Sequence, residues 1–415
     1  MISVKGIYFD LKIFLSFIER TIVPVILTWI GIKKRIGRPL LVRVSWLDEN
    51  DSNCLQVFED ARVCLSYGPK INGVYSYENV TIPAVKLYRF REIECSGQSS
   101  SILKNKCLFL ERVKDCNPVK CNYSSKHIRR VGVSFALVCR ERVQGLEKGI
   151  FLGGNGSFNY YHWMMEILPK LQFIQMLGSE FDGYPLLVDQ SIKDTPALME
   201  SLSFIAGTRK IILLKNEVMY KVEDFIYINA PTIAPFNLRG KEIFCLSYFL
   251  TRKDSVLFIR EALLSMRRVE GDGKMLGERL FFARRGKRRK YNQDEIFNVF
   301  EQEGFVKVFL DEYTLQEQVE LVSKAKMIAG PSGAAWTNII FCQEGAKGLC
   351  WMNERLYGFC TFSNLAHCVD MDLRYVTYKS NIRETHEFYS SHYRVDVNKI
   401  KHELFLMLPK EMNNV

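Results

Sequence analysis

Between Pro39 and Gly149 the chain alternates apolar and polar positions over short runs, "PLLVRVSW", "VTIPAVKLYRF" and "GVSFALVCRERV", all rich in β-branched and aromatic residues. Period-two alternation of that composition predicts strands, and clusters such as "YGPKINGVYS" and "CSGQSSS" supply the turns between them. Past the stretch "GNGSFNYYHWMMEILPKLQF" the rhythm changes, and the apolar strands "YPLLVDQ", "RKIILLKN" and "DFIYINAP" alternate with helical segments. That is how an α/β layer with parallel strands reads. A polar segment around "NLRGKE" and a helical stretch near "SVLFIREALLSMRR" lead to a second run of the same kind. Its strands are "RLFFARRG", "VKVFLDE", "MIAG" and "KGLCWMN", and its helices are "NQDEIFNVFEQEGF", "TLQEQVELVSKAK" and "GAAWTNIIF". Asn292 with Glu295, and Thr314 with Glu317, have capping-box spacing, and Gly304 stands where a helix ends in the left-handed conformation.

Repeated βαβ units make doubly wound sheets, so the fold class is α/β, with two Rossmann-like halves and a cleft between them. The expected divisions are a basic amphipathic segment over 1–38, a β-rich and then α/β domain over 39–238, a helical connection over 239–278, an α/β domain over 279–395 and a tail helix over 396–415.

Composition narrows the classes. The 415 residues suffice for two cores, and 47% hydrophobic with 25% charged residues excludes a disordered chain and a multi-span membrane protein. A net charge of +11 suits phosphorylated substrates, anionic lipid or nucleic acid. The basic residues concentrate in one loop and the N-terminal tail, and no aromatic-basic strand motif is present, so nucleic acid is set aside. Twelve cysteines at irregular gaps match no zinc pattern and read mostly as free thiols of a reducing compartment. The sequons at Asn79, Asn122 and Asn155 point the other way. No cleavable signal peptide is evident. The run "KIFLSFIERTIVPVILTWIGIKKRIGR" is interrupted by Glu19, Arg20 and Pro24, which suits an amphipathic surface helix better than a membrane span. Lys33, Lys34, Arg35 and Arg38 would then meet anionic headgroups; the alternative is a helix docked on the protein's own core.

Three stretches carry candidate chemistry. "AGPSGAAWTN" sets Ser332 and Gly333 between a strand and a helix, a geometry that offers backbone N–H groups to an anion, with Ser332, Thr337 and Asn338 as further donors. A tight turn with a small-residue packing face is the alternative. "ARRGKRRK" follows another strand, and Arg284 and Arg285 are the two expected nearest the cleft, able to fork onto a diphosphate. In "NYYHWMMEILPKL", His162 and Glu166 are four apart, so on a helix the carboxylate orients the imidazole as a general base. Asn159, Tyr160, Tyr161 and Trp163 beside it suit a sugar face, or else surround a core histidine. Pro169 predicts a kink or restart of the helix. The triplet Asp370-Met371-Asp372 lies after the expected sheet and is not taken as a metal site.

Together, "NYYHWMMEILPKL", "FFARRGKRRKYNQDEIFNVFEQEGF" and "LQEQVELVSKAKMIAGPSGAAWTNIIF", in that order and spacing, resemble glycosyltransferase family 61 and its bacterial capsular-polysaccharide relatives over roughly Gly153 to Trp351. The resemblance implies a GT-B fold and inverting, metal-independent transfer from a nucleotide-sugar donor, UDP-linked for preference, to a glycan or lipid-linked glycan at the cytoplasmic face of a membrane. No cofactor is implied. The donor diphosphate would rest on Ser332 and Gly333 with Arg284 and Arg289, and Glu317 and Gln318 match an acidic-amide pair of the family. Ser332 stands where many relatives have histidine. A non-catalytic nucleotide- or glycan-binding module is the alternative function.

Overall fold

Strands buried on both faces must be apolar throughout, and the two apolar series in the sequence form two separate parallel arrays. The computed structural model describes residues 4–29, 38–49, 51–111, 117–140, 142–267, 277–286, 288–382 and 384–408. The chain divides into a first unit, Met1–Val63 with Thr81–Arg239, and a second, Cys64–Val80 with Gly240–Val415.

In the first unit, β1 (Val85–Cys95), β2 (Val143–Leu152), β3 (Leu186–Asp189), β4 (Ile211–Leu214) and β5 (Met219–Ile228) lie in the order β4-β3-β2-β5-β1. The first four are parallel, with Ile150 opposite both Leu186 and Ile226, and β5 pairs antiparallel with β1. The same sheet runs on through Ile102–Lys104, Cys107–Leu110, Arg38–Trp46, Phe135–Arg140 and Ile128–Val131. The first half is therefore a mixed sheet and not the doubly wound domain expected. The cause lies in β1, whose Glu92 and Arg91 are exposed beside buried Phe90 and Ile93; a strand with one wet stretch fits an antiparallel pairing better than a doubly covered parallel array. The core is built on Tyr88, Phe90, Phe151, Leu187, Phe225 and Tyr227.

The N-terminal helix α1 (Val4–Trp29) docks on this unit through its first half. Ile13 is buried, both Asp10 oxygens accept the Ser134 N–H (3.2 and 3.1 Å), and the Arg239 guanidinium stacks 4.7 Å from the Phe9 ring. On its other side Ile7, Tyr8, Leu11, Phe14 and Leu15 form a helical stripe that is 48–59% exposed. No helix among the described residues is long and apolar enough to cross a membrane. Lys33, Lys34 and Arg35, and the side chain of Arg38, lie outside the described residues.

In the second unit β6 (Arg279–Phe282), β7 (Val306–Val308), β8 (Met327–Pro331), β9 (Lys347–Asn353) and β10 (Asp372–Tyr378) form a wholly parallel sheet in the order β7-β6-β8-β9-β10, extended by Lys70–Ile71 along β10. Phe281, Ile296, Phe300 and Trp351 lie at the centre of its core. The Thr314–Glu317 capping box forms, and Gly304 takes φ +74°. Asn292 does not cap: its amide donates to Glu295 Oε2 (2.9 Å) and accepts from Val395 N–H (3.0 Å), tying the helix start to the C-terminal segment instead. "GAAWTNIIF" winds as a 3-10 helix, Ala334–Phe341, where the β-branched Thr337, Ile339 and Ile340 crowd an α-turn. Asp372 does not follow the sheet but opens β10, with its carboxylate on Lys70 (2.7 Å) and Arg374 (3.1 Å).

Candidate active site

In each unit the strand order reverses once, and loops from the two strands flanking the reversal part there, which is where open α/β sheets hold ligands. In the first unit the reversal falls between β2 and β5. The chain leaves β2 through Gly153 to Asn159, and Gly156 (φ +79°) turns it; a Cβ there would stand 2.7 Å from Phe236 Cδ2 and 3.0 Å from His162 Cδ2. Ser157 Oγ and Ser191 Oγ donate to the fully buried Asp189 at the end of β3, so that carboxylate anchors the turn. Gly156→Ala combines a left-handed backbone with that clash, and a loss of about 1–2 kcal/mol is expected. Thermal unfolding checks it as a fall of several degrees, with about 2–4 °C per kcal/mol for a domain of 150–250 residues.

Asn159 then caps a single helical turn, accepting from the Tyr161 N–H (3.0 Å), and the turn passes into a π-helical one over Trp163–Ile167 before Pro169 starts a new helix over Lys170–Ile174. The wide turn and restart leave His162, Glu166 and Lys170 at successive four-residue steps. His162 Nδ1 donates to Glu166 Oε2 (2.9 Å), whose other oxygen accepts the Ala234 N–H (2.6 Å) from the loop after β5. Phe236 of that loop lies 5.2 Å from the imidazole, ring centre to ring centre. With Nδ1–H engaged, Nε2 is the nitrogen that takes a proton.

Below the dyad lie groups that no sequence motif marked. Glu111 Oε1 accepts from Tyr227 O–H (2.7 Å) and Ala230 N–H (3.0 Å), with Lys170 Nζ 4.0 Å away. Lys170 is fully buried; burial pushes its ammonium below the usual lysine range, while Glu111 and Glu166 push it back up. Glu111, Glu166, Asn155, Phe236 and Asn237 line a cavity of about 50 Å³ that reaches Cys121, which is disulfide-bonded; ten other cysteines are free thiols.

In the second unit the reversal falls between β6 and β8, and the loops leaving them carry Arg284 and Ser332. Gln293 holds the first loop by its main chain, accepting the Arg284 N–H (2.7 Å) and donating to the Arg284 carbonyl (3.2 Å). The Arg284 guanidinium donates to the Ser332 carbonyl, and a Cβ at Gly333 would overlap it. The Ser332 N–H bonds the Trp351 carbonyl (2.9 Å), and the first bond of the 3-10 helix, Trp336 N–H to Gly333 carbonyl (3.0 Å), leaves the Ala334 and Ala335 N–H groups at its open end. Burial pushes Arg284 down to about 10, and the neighbouring Arg289 pushes the same way. Among the described residues no ion pair involves Arg284; Tyr291, Tyr378 and Tyr393 surround it, with Tyr393 stacked 4.1 Å on Tyr378 and 5.4 Å on Tyr291. A recessed cation whose charged neighbour is another cation can take an anion as its partner.

Several expected site residues are placed otherwise. Arg285, in the loop after the strand, lies over the Phe309 ring (3.8 Å) and pairs with Glu312. Trp163 is wholly buried and donates to Ser201 Oγ (2.9 Å), and Tyr161 is buried as well, so both support the dyad and cannot stack on a sugar. Glu317 is the exposed capping residue of its helix. Gln318 and Asn338 are buried and bonded to each other (3.3 Å) behind the anion loop, where Thr337 is buried too.

Residues 160–349 match the family described as Glycosyltransferase 61. The match begins at the helical turn bearing His162, takes in the Arg284 and Ser332 loops, and leaves the β-rich residues outside it. No curated protein matches the chain. The matched region, with the His162–Glu166 dyad and the Arg284–Ser332 loop pair both inside it, is similar to glycosyltransferase family 61.

Proposed function

We propose that the protein is an inverting glycosyltransferase that takes a sugar from a nucleoside diphosphate donor, UDP-linked for preference, and passes it to a glycan hydroxyl in cell-surface polysaccharide synthesis. The observation that carries the donor half is Arg284, recessed at the reversal of the parallel sheet beside Arg289 and the open N–H groups of Ala334 and Ala335. Cationic and backbone donors of that kind neutralise a leaving diphosphate in place of a metal ion.

The His162–Glu166 pair supports the acceptor half. His162 Nε2 takes the proton of the acceptor hydroxyl, and Glu166 steadies the imidazolium that forms. The hydroxyl oxygen bonds to the anomeric carbon as the bond from that carbon to the phosphate oxygen breaks, and the electron pair leaves with the diphosphate. Attack opposite the leaving group inverts the anomeric centre.

The test is binding of UDP, GDP, ADP and CMP to the full chain with a chelator present. Metal-free binding of one nucleoside diphosphate is the expected result; no binding, or binding only with a divalent ion, rejects the donor site described.

An anionic membrane surface is proposed as the partner of the exposed stripe on α1, supported by Lys12 beside it and by the basic run after it in sequence. The full chain is expected to sediment with vesicles containing phosphatidylserine and much less with purely zwitterionic ones, and Leu11→Asp to abolish the difference. Equal recovery with both vesicles removes the electrostatic part of the proposal.

A further inference from the structure

One four-residue step past the His162–Glu166 dyad stands Lys170, only 1% exposed. A buried ammonium is costly unless opposite charge meets it. Glu111 Oε1 lies 4.0 Å from Lys170 Nζ, and the Tyr227 ring lies 4.8 Å beneath the ammonium while its hydroxyl bonds Glu111. Among the described residues no other lysine or arginine pairs with Glu111 or Glu166. Both carboxylates line one cavity of about 50 Å³, and two like charges so placed draw in a proton unless a cation offsets them. Burial lowers the proton affinity of Lys170, while Glu111 and Glu166 raise it; attraction is mutual, so the ammonium favours the ionised form of both. That matters for His162. With Glu166 ionised and accepting the Nδ1–H, the Nε2 lone pair is open. One more proton on the pair, whether Glu166 or the imidazole carries it, leaves a hydrogen on Nε2 and closes it.

We infer that Lys170 is a positioning residue: its charge beside Glu111 and Glu166 keeps a further proton off the His162–Glu166 pair and so keeps Nε2 open as the base. The other groups about the pair bring no competing cation. Tyr161 and Phe236 present rings to the imidazole, and the Ala234 backbone donates to Glu166. Glu111 meets the Tyr227 hydroxyl and the Ala230 N–H. The use of Nε2 as a base rests on the transferase reading, but the placement of the proton does not.

The experiment follows the imidazole nitrogens of the full chain, isotope-labelled at histidine, by NMR across a pH titration, with His162→Ala to assign the His162 signals. The neutral wild-type imidazole is expected as the Nδ1–H tautomer. Losing a positive charge makes the pair hold its proton more tightly, so Lys170→Met should take it up at a pH higher by about one unit or more, an opposite charge within ~4–6 Å being worth about 1–3 units. Glu111→Gln removes a negative charge and should move the titration the other way. Lys170→Met combined with Glu111→Gln should return to within about half a unit of the wild type. A lysine that only supports packing gives neither the reversal of sign nor the rescue. An Nε2–H tautomer in the wild type, an unmoved titration in Lys170→Met, or a double variant that stays with Lys170→Met overturns the inference. If Lys170→Met does not fold, Glu111→Gln decides alone: a shift to lower pH supports the inference and no shift overturns it. Nucleotide binding in the same samples reports on the second unit; its absence beside these shifts rejects the transferase and leaves the proton placement standing.

Discussion

His162→Ala should reduce glycosyl transfer by about 10²–10⁴-fold, the usual contribution of a positioned general base, while nucleotide affinity stays within about twofold. The imidazole is held from three sides: Glu166 fixes Nδ1, Phe236 lies 5.2 Å away, and Gly156 closes the space beside Cδ2. Such restraint costs conformational freedom and is hard to explain for a residue that only fills volume. The substitution leaves Glu166 with the Ala234 N–H, so the loop after β5 keeps one of its ties and the fold should survive. Single-turnover transfer with a saturating donor separates chemistry from binding. Full activity in this variant would move the base to Glu166, which Glu166→Gln then examines directly.

Arg284→Ala should weaken binding of the diphosphate nucleotide by about 10–100-fold, since a hydrogen bond to a charged group is worth about 1.5–3 kcal/mol and each 1.4 kcal/mol is tenfold. Although burial and Arg289 lower its proton affinity, the guanidinium at about 10 is still charged at neutral pH. Arg285→Ala is the internal control. Its side chain is engaged by Glu312 and Phe309, so nucleotide affinity should stay within about twofold, as for other exposed pairs. Isothermal titration of the three proteins decides: equal losses at both arginines would mean a diffuse electrostatic attraction in place of a built site.

The His162–Glu166 contact was legible because i to i+4 spacing on a helix brings side chains together, even through the wide turn that Pro169 ends. The same four-residue spacing extends to Lys170 in "NYYHWMMEILPKL". Glu111 and Asn237 left no local mark at all. They lie 55 residues before and 71 residues after Glu166 by sequence number, and only the sheet brings them to it.

Local pattern by itself determined the parallel strands of the second unit, the Thr314 cap, the Gly304 helix end and the loops that carry Arg284 and Ser332, because apolar runs, caps and turns are short-range physics. Strand order, the antiparallel seam between β1 and β5, the diversion of Lys70–Ile71 to the edge of β10, and the opposite fates of Arg284 and Arg285 were decided by tertiary structure. Backbone pairing has no partner written in the sequence, and whether a charged side chain binds a ligand or a neighbour depends on which strand ends beside it.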